Sequence, residues 1–145
     1  LRYFNVFGPR QPDNQYSGVI SHSMLKIIKN EPLIIFGDGL QTRDFIYVND
    51  VVNANLLTAE NKFAIGQIFN VGSGTGISII DLTKEIIKLF NSKIKYKFSR
   101  PRFGDIKDSL ADIAKIKKIL GFKPKILLQE GLKKIYEWFK KEKRY

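Results

Sequence analysis

Cysteine is absent from this 145-residue chain, which removes disulfides, thiolate nucleophiles and Cys-type zinc sites together. Histidine occurs once, as His22, and a single imidazole cannot build a metal cluster. There is no Ser-His-Asp set and no carboxylate pair with a catalytic layout. No apolar run approaches the roughly 20 residues that cross a bilayer, so no membrane partner is expected. No basic, apolar, small-residue leader is found, and the lack of cysteine is compatible with a cytoplasmic protein, which is the expected location. Internal repeats and low-complexity tracts are also missing.

The composition that remains is ordinary for a globular protein, with 43% hydrophobic and 27% charged residues. The length suits one domain with a single core. The chain opens at Leu1 inside a strand-like run, which reads as a cut end. Its net charge of +11 is unevenly placed. Residues 1–83 hold six Lys/Arg against seven Asp/Glu, and residues 84–145 hold nineteen against seven. A basic half raises nucleic acid as a partner. The lysines, however, alternate with apolar positions in helical patterns, as at Lys115, Lys117, Lys118, Lys133, Lys134, Lys140 and Lys141. Solvated helix faces account for them, and nucleic acid is not the expected ligand.

Periodicity predicts a mixed α/β domain. Leu1 to Phe7 reads as a strand that ends at Gly8-Pro9. Ser17 to Asn30 has a helical pattern, stopped by Asn30 and Pro32. Two short strands, Leu33–Phe36 and Arg43–Val48, are joined through Gly37-Asp38-Gly39, and Asn49 or Asp50 is expected to cap a helix running to about Glu60. Gln67 to Val71 is a strand entering the Gly72–Gly76 cluster, after which Ser78 caps a helix. Ile94 to Phe98 alternates as a half-exposed strand. Asp112 caps a helix ended by Gly121, and Gln129 or Glu130 begins the last one.

Three features carry chemistry. Gly72-Ser73-Gly74-Thr75-Gly76 stands between strand and helix, yet lacks the Gly-x-Gly-x-x-Gly spacing and a Gly-Lys-Ser/Thr ending. A tight turn is the favoured reading, with a phosphate at the next helix N-terminus as its alternative. Arg43 opens a strand after a turn without large side chains. Its planar fork suits phosphate oxygens, and a surface ion pair with Asp44 or Asp38 is the equal alternative. Arg102 and Asp105 flank Phe103-Gly104, so the arginine can take a phosphate while the carboxylate accepts ribose hydroxyls; an exposed loop ion pair is the alternative. Asn5, an amide among aromatics, faces either solvent or a site. His22 is read as structural or solvent-facing. On local chemistry alone, the chain is an anion-binding α/β domain.

Taken in order, the motifs resemble the C-terminal half of the extended short-chain dehydrogenase/reductase family acting on nucleotide sugars. They are Arg2-Tyr3-Phe4-Asn5-Val6-Phe7-Gly8-Pro9-Arg10-Gln11, the Gly37–Asp50 stretch, Phe69-Asn70-Val71-Gly72-Ser73-Gly74, and Arg102-Phe103-Gly104-Asp105. Ser109-Leu110-Ala111-Asp112 and the segments leading to Trp138-Phe139 complete the pattern. The resemblance is greatest to NAD-dependent UDP-sugar 4-epimerases, with dTDP-glucose dehydratases and UDP-glucuronate decarboxylases as close relatives.

The resemblance implies an α/β fold, the substrate-binding portion of an extended Rossmann-type protein, with a small mixed sheet and several helices. Residues 1–145 would be a C-terminal nucleotide-sugar-binding domain, residues 1–9 a strand of the NAD-binding part otherwise upstream. It implies contacts to a UDP-sugar from Asn5, Ser17, Gly18, Val19, Arg43, Arg102 and Asp105, a base pocket along Leu33–Phe36, and Tyr3 near the nicotinamide of NAD. Asp50 and Asp112 match the pattern as structural helix caps. The chain departs at Ser21, where the family often has proline. The family's catalytic Tyr-x-x-x-Lys pair belongs upstream of Leu1, and Tyr136-Glu137-Trp138-Phe139-Lys140 lies in the wrong region. No catalytic residue is therefore expected here, and the chain alone should be inactive. A homodimeric parent is the family expectation. The rivals are a dehydratase or decarboxylase fragment and a non-catalytic nucleotide-sugar or nucleic-acid binding module.

Overall fold

The computed structural model describes residues 1–11 and 18–142. The helices and strands fall close to where periodicity puts them, but the first predicted strand divides. Strand β1 (Arg2–Tyr3) pairs in parallel with β5 (Asn70–Val71), whereas β2 (Asn5–Phe7) pairs in parallel with β4 (Thr42–Tyr47). Phe4 is the crossing point, its N–H donating to Val71 O at 3.0 Å. The strands joined by Gly37-Asp38-Gly39 likewise separate. Strand β3 (Leu33–Phe36) pairs in parallel with β7 (Tyr96–Ser99), and β4 joins the other sheet. The turn works because Gly37 and Gly39 sit at φ +71° and +77°, and a Cβ on Gly39 would lie 2.9 Å from the Ile35 side chain.

Two strands escaped the sequence reading. Strand β6 (Gly76–Ser78) runs antiparallel to β4, and β8 (Asp108–Ser109) runs parallel to it. Two- and three-residue strands are too short to show an alternating pattern. Among the described residues the mixed α/β fold has its strands in three small sheets, with parallel and antiparallel pairings.

Strand β4 is the wall between two cores. Phe45 and Tyr47 pack on one side with Phe7, the helix α1 (Val19–Ile28), α3 (Ile79–Leu89) and α5 (Leu128–Lys141). Ile46 packs on the other with α2 (Val48–Glu60), β5 and α4 (Ala114–Leu120). Successive strand residues point to opposite faces, which sends one hexapeptide into both cores. Gly131 in α5 is required by this packing: a Cβ there would lie 2.6 Å from the Phe7 ring.

Capping follows the sequence at the start of α3 and the end of α4. It departs from it at the starts of α2 and α4, where Tyr47 and Ile113 stand at the cap position with no side-chain cap. Ser78 Oγ accepts from Asp81 N at 3.1 Å and donates to the Asp81 carboxylate at 2.6 Å, a closed capping pair. Asp112 Oδ1 accepts from Ala114 N at 2.9 Å, at the start of α4. Gly121 ends α4 at φ +66°. Asp50 is not a cap, since α2 begins at Val48 and no side chain caps it. The buried Asp50 carboxylate instead accepts from Lys125 N and Ile126 N, at 3.0 and 3.1 Å. It ties the segment before α5 to α2, a structural role of a different kind. Lysines 115, 117 and 118 on α4 and 133, 134, 140 and 141 on α5 are exposed, opposite the buried Ile116, Leu120, Leu132, Ile135 and Phe139.

Candidate functional site: a cationic cleft beside β4

A cleft of about 540 Å³ opens where β2, α1, β3, β4 and the 102–105 loop meet, within the size range of small-molecule sites. Its lining includes Asn5, Gly18, Val19, Arg43, Arg102 and Asp105, six of the predicted ligand residues. Leu33, Ile34 and Phe36 of the predicted base pocket line it as well. Ser17 lies outside the described residues. Tyr3 is elsewhere: it is 49% exposed, and its hydroxyl donates to Asn55 Oδ1 on α2 at 2.9 Å. A second concavity of about 550 Å³ lies between the end of α3 and β7. Its polar lining, which includes Lys84, Lys88 and Lys95, comes from one surface stretch and does not converge from separate elements.

Arg43 reaches the cleft because residues 43, 45 and 47 share one face of β4. Its alternative partners are both otherwise engaged. Asp44 points the other way, and Asp38 accepts from Leu40 N at 2.9 Å within its own turn. Arg43 pairs instead with the Asp105 carboxylate. The remaining arm, Nη1, donates to Thr42 O at 2.7 Å and Lys107 O at 3.4 Å. Arg102 sits over the ring of Phe36, its guanidinium carbon 3.9 Å from the ring centroid. That cation–π contact holds the fork at the wall of the cleft.

The Asn5 amide nitrogen donates to Asp44 O at 2.8 Å. This fixes the side chain and leaves its carbonyl oxygen as the acceptor. Gly18 is the N-cap residue of α1, with no side-chain cap and no acidic residue in the first turn among the described residues, a helix start whose dipole favours an anion. Ser21, the departure from the family's proline, is buried and donates to Gln11 Oε1 at 2.8 Å. The bond brings Gln11 against Gly18, where an added Cβ would sit 3.2 Å from its amide nitrogen.

The residue most important to this geometry is Asp44, which the sequence reading treated only as a surface partner. It is fully buried. Its carboxylate accepts from Ser73 N at 2.7 Å, Ser73 Oγ at 2.6 Å, Gly74 N at 2.9 Å and Ala111 N at 3.1 Å. The glycine cluster is therefore an anion nest whose anion is internal. Gly72 is obligatory there, since a Cβ would lie 2.3 Å from Ala111 Cβ and 2.7 Å from Asp44 Oδ2. This agrees with the tight-turn reading, and the Ser73 and Gly74 amides are already engaged. The signal available in the sequence was a carboxylate inside an apolar strand, a group that needs partners when buried.

His22, Ser23 and Lys26 also line the cleft. Residues 18, 22 and 26 recur every four positions, which places one polar stripe on α1 opposite the buried Ile20, Met24 and Ile27. His22 itself is exposed at the rim. Tyr136 and Lys140 do have Tyr-x-x-x-Lys spacing, but they sit on α5 with Lys140 Nζ 4.5 Å over the Tyr136 ring. Neither lines the cleft.

Residues 1–72, which carry β1 to β5 and Arg43, match the sequence model of the NAD dependent epimerase/dehydratase family. The chain belongs to that family. A protein of Methanocaldococcus jannaschii named as a putative UDP-glucose 4-epimerase is 41% identical over 144 residues, 99% of this chain and 46% of its own length. A UDP-N-acetyl-alpha-D-glucosaminuronate decarboxylase of Bacillus cytotoxicus is 34% identical, over 97% of this chain and 45% of its own. The fold superposes on the crystal structure of UDP-glucose 4-epimerase from Thermotoga maritima with UDP-glucose at a TM-score of 0.92. That likeness has 39% identity and covers 97% of this chain and 45% of the other. The family member described here spans a little under half the length of the relatives it matches.

Proposed function

We propose that this chain is the C-terminal, nucleotide-sugar-binding domain of an NAD-dependent UDP-sugar 4-epimerase, with residues 1–9 belonging to its NAD-binding half. The observation that carries the reading is the convergence of Asn5, Gly18, Val19, Arg43, Arg102 and Asp105 on one cleft from separate parts of the sequence.

Arg43 and Arg102 take diphosphate oxygens, and the N-terminus of α1 at Gly18 and Val19 adds its dipole. Asp105 accepts from the ribose hydroxyls, Leu33 to Phe36 flank the base, and Asn5 serves the sugar side. Ser17 belongs to the same proposed set. A bound NAD would supply the hydride acceptor and donor for C4 of the sugar. The described residues do not make a dinucleotide cradle, because the amides of the Gly72–Gly76 loop hold Asp44. Tyr3 is the one residue assigned to the nicotinamide end, and no catalytic step is assigned to this chain. Its share is to hold the nucleotide firmly while the sugar stays free to turn. By itself it is inactive as an epimerase.

A second reading, a nucleotide-sugar decarboxylase, is favoured by the Bacillus relative and uses the same grip. Calorimetric titration with UDP, beside an Arg102→Ala/Asp105→Ala variant, tests what both readings share. Saturable binding by the wild type that the variant loses is expected. Folded protein that ignores UDP would overturn a self-sufficient grip. Steep salt dependence with RNA or DNA would replace it with nucleic-acid binding.

A further inference from the structure

We propose that Asp105 is a selectivity element: by pairing with Arg43 it disfavours bare phosphate and pyrophosphate, and admits diphosphates that bring vicinal hydroxyls. The inference rests on the nucleotide reading above and adds to it a means of rejecting the wrong anion.

Both arms of the Arg43 fork are engaged, one by the Thr42 and Lys107 carbonyls and the other by Asp105. The carboxylate is held at that place. Asp105 N donates to Arg102 O at 3.2 Å across Gly104, whose φ of +76° makes the turn. The loop is rooted just beyond by Thr42 N to Lys107 O at 2.8 Å, and by Thr42 Oγ1 to Asp108 at 2.7 Å. Arg102, in contrast, has no carboxylate partner among the described residues and rests on Phe36.

An anion drawn in by Arg102 meets the negative charge of Asp105 before it reaches Arg43. If it displaces Asp105, a carboxylate only about one-third exposed loses its cation, with side-chain exposures of 16% for Arg43 and 35% for Asp105. Inorganic pyrophosphate offers nothing in return. A nucleoside diphosphate supplies hydroxyl donors, which match a carboxylate. Arg43 then exchanges a carboxylate for a phosphate oxygen while Asp105 exchanges a guanidinium for hydroxyls. Discrimination comes from the partner left unpaired with the wrong ligand.

The test compares UDP and inorganic pyrophosphate on the full chain by calorimetry, for wild type, Asp105→Asn and Arg43→Ala/Asp105→Ala. The Asn variant should bind pyrophosphate about tenfold more tightly, the scale of one hydrogen bond to a charged group, and UDP more weakly. The double variant should lose the gain, which assigns it to Arg43. Wild-type UDP binding with pyrophosphate affinity unchanged or lower in Asp105→Asn would overturn the selectivity role alone. Wild-type protein that does not bind UDP would overturn the nucleotide reading, and the ribose check with it.

Discussion

Arg43 and Asp44 are neighbours on β4 whose side chains leave the strand on opposite faces, Arg43 into the cleft and Asp44 into a buried seam. One strand thereby carries a candidate ligand contact and the anchor of its surroundings. The Asp44 carboxylate binds the 72–74 loop and Ala111, and its backbone carbonyl holds Asn5. Stiffness at Asp44 is therefore stiffness at the cleft.

Asp44→Ala should destabilise the fold by about 3–5 kcal/mol, because the buried N–H of Ala111 and the part-buried N–H groups of Ser73 and Gly74 lose a fully buried charged acceptor. Asp38→Ala, which removes an exposed turn bond, should change stability by under about 1 kcal/mol. Urea denaturation midpoints of the two variants measure the difference. Equal midpoints would mean that Asp44 does not hold the seam.

Gly131→Ala opposes helix propensity to packing. Propensity alone favours alanine within α5 by about 1 kcal/mol. The new methyl, however, would lie 2.6 Å from the ring of Phe7, which is itself buried against Phe45 and Tyr47. A net loss of about 1–3 kcal/mol is expected, and a rise in melting temperature would contradict the packing account.

Phe36→Leu tests how Arg102 is held. Loss of the ring removes a cation–π contact worth about 0.5–1 kcal/mol at an exposed site. UDP affinity should fall roughly two- to fivefold with the thermal melt little changed. Affinity equal to wild type would show that Arg102 needs no platform.

Two groups set opposite pH limits. The Asp81 carboxyl is held below the usual carboxylate range by the hydrogen bond from Ser78, with Lys84 adding to it. The unfolded chain therefore binds more protons in the acid range. This stabilisation is present above the ordinary carboxylate pKa and fades as pH falls through the lower folded value. Burial pushes Tyr47 above its ordinary value of 10.0. The folded chain then keeps a proton that the unfolded one releases, and stability falls as pH rises beyond about 10. Denaturation midpoints across pH should lose the acid slope of this site in Asp81→Asn and the alkaline slope in Tyr47→Phe. Unchanged slopes would assign the limits to other groups.

Much of this was legible in the order of residues. Ser78 with Asp81, Gly121 at the end of α4, and the apolar spacing of α1, α3 and α5 are local signals, set by interactions within a few residues. The cleft candidates came from motif order rather than from periodicity, and the structure brings six of them together, while Tyr3 stands apart on β1, its hydroxyl bonded to Asn55 of α2. The stripe at residues 18, 22 and 26 was readable as helical spacing and was not used.

The remainder depended on contacts between distant parts of the chain. Strands β6 and β8 exist because β4 offers them backbone partners, since neither is long enough to declare itself. Asp50 had the sequence position of a cap, but its carboxylate found stronger use 75 residues away at Lys125. Asp44 and Arg43 had adjacent letters and opposite charges, an invitation to pair that the strand's two-residue period forbids. The sequence by itself determined the helices, their stops and the residue types able to grip an anion, because those properties act locally. Only the tertiary structure decided that Asp105 meets Arg43 and that Asp44 is buried among amides, because burial and partnership belong to segments the fold brings together.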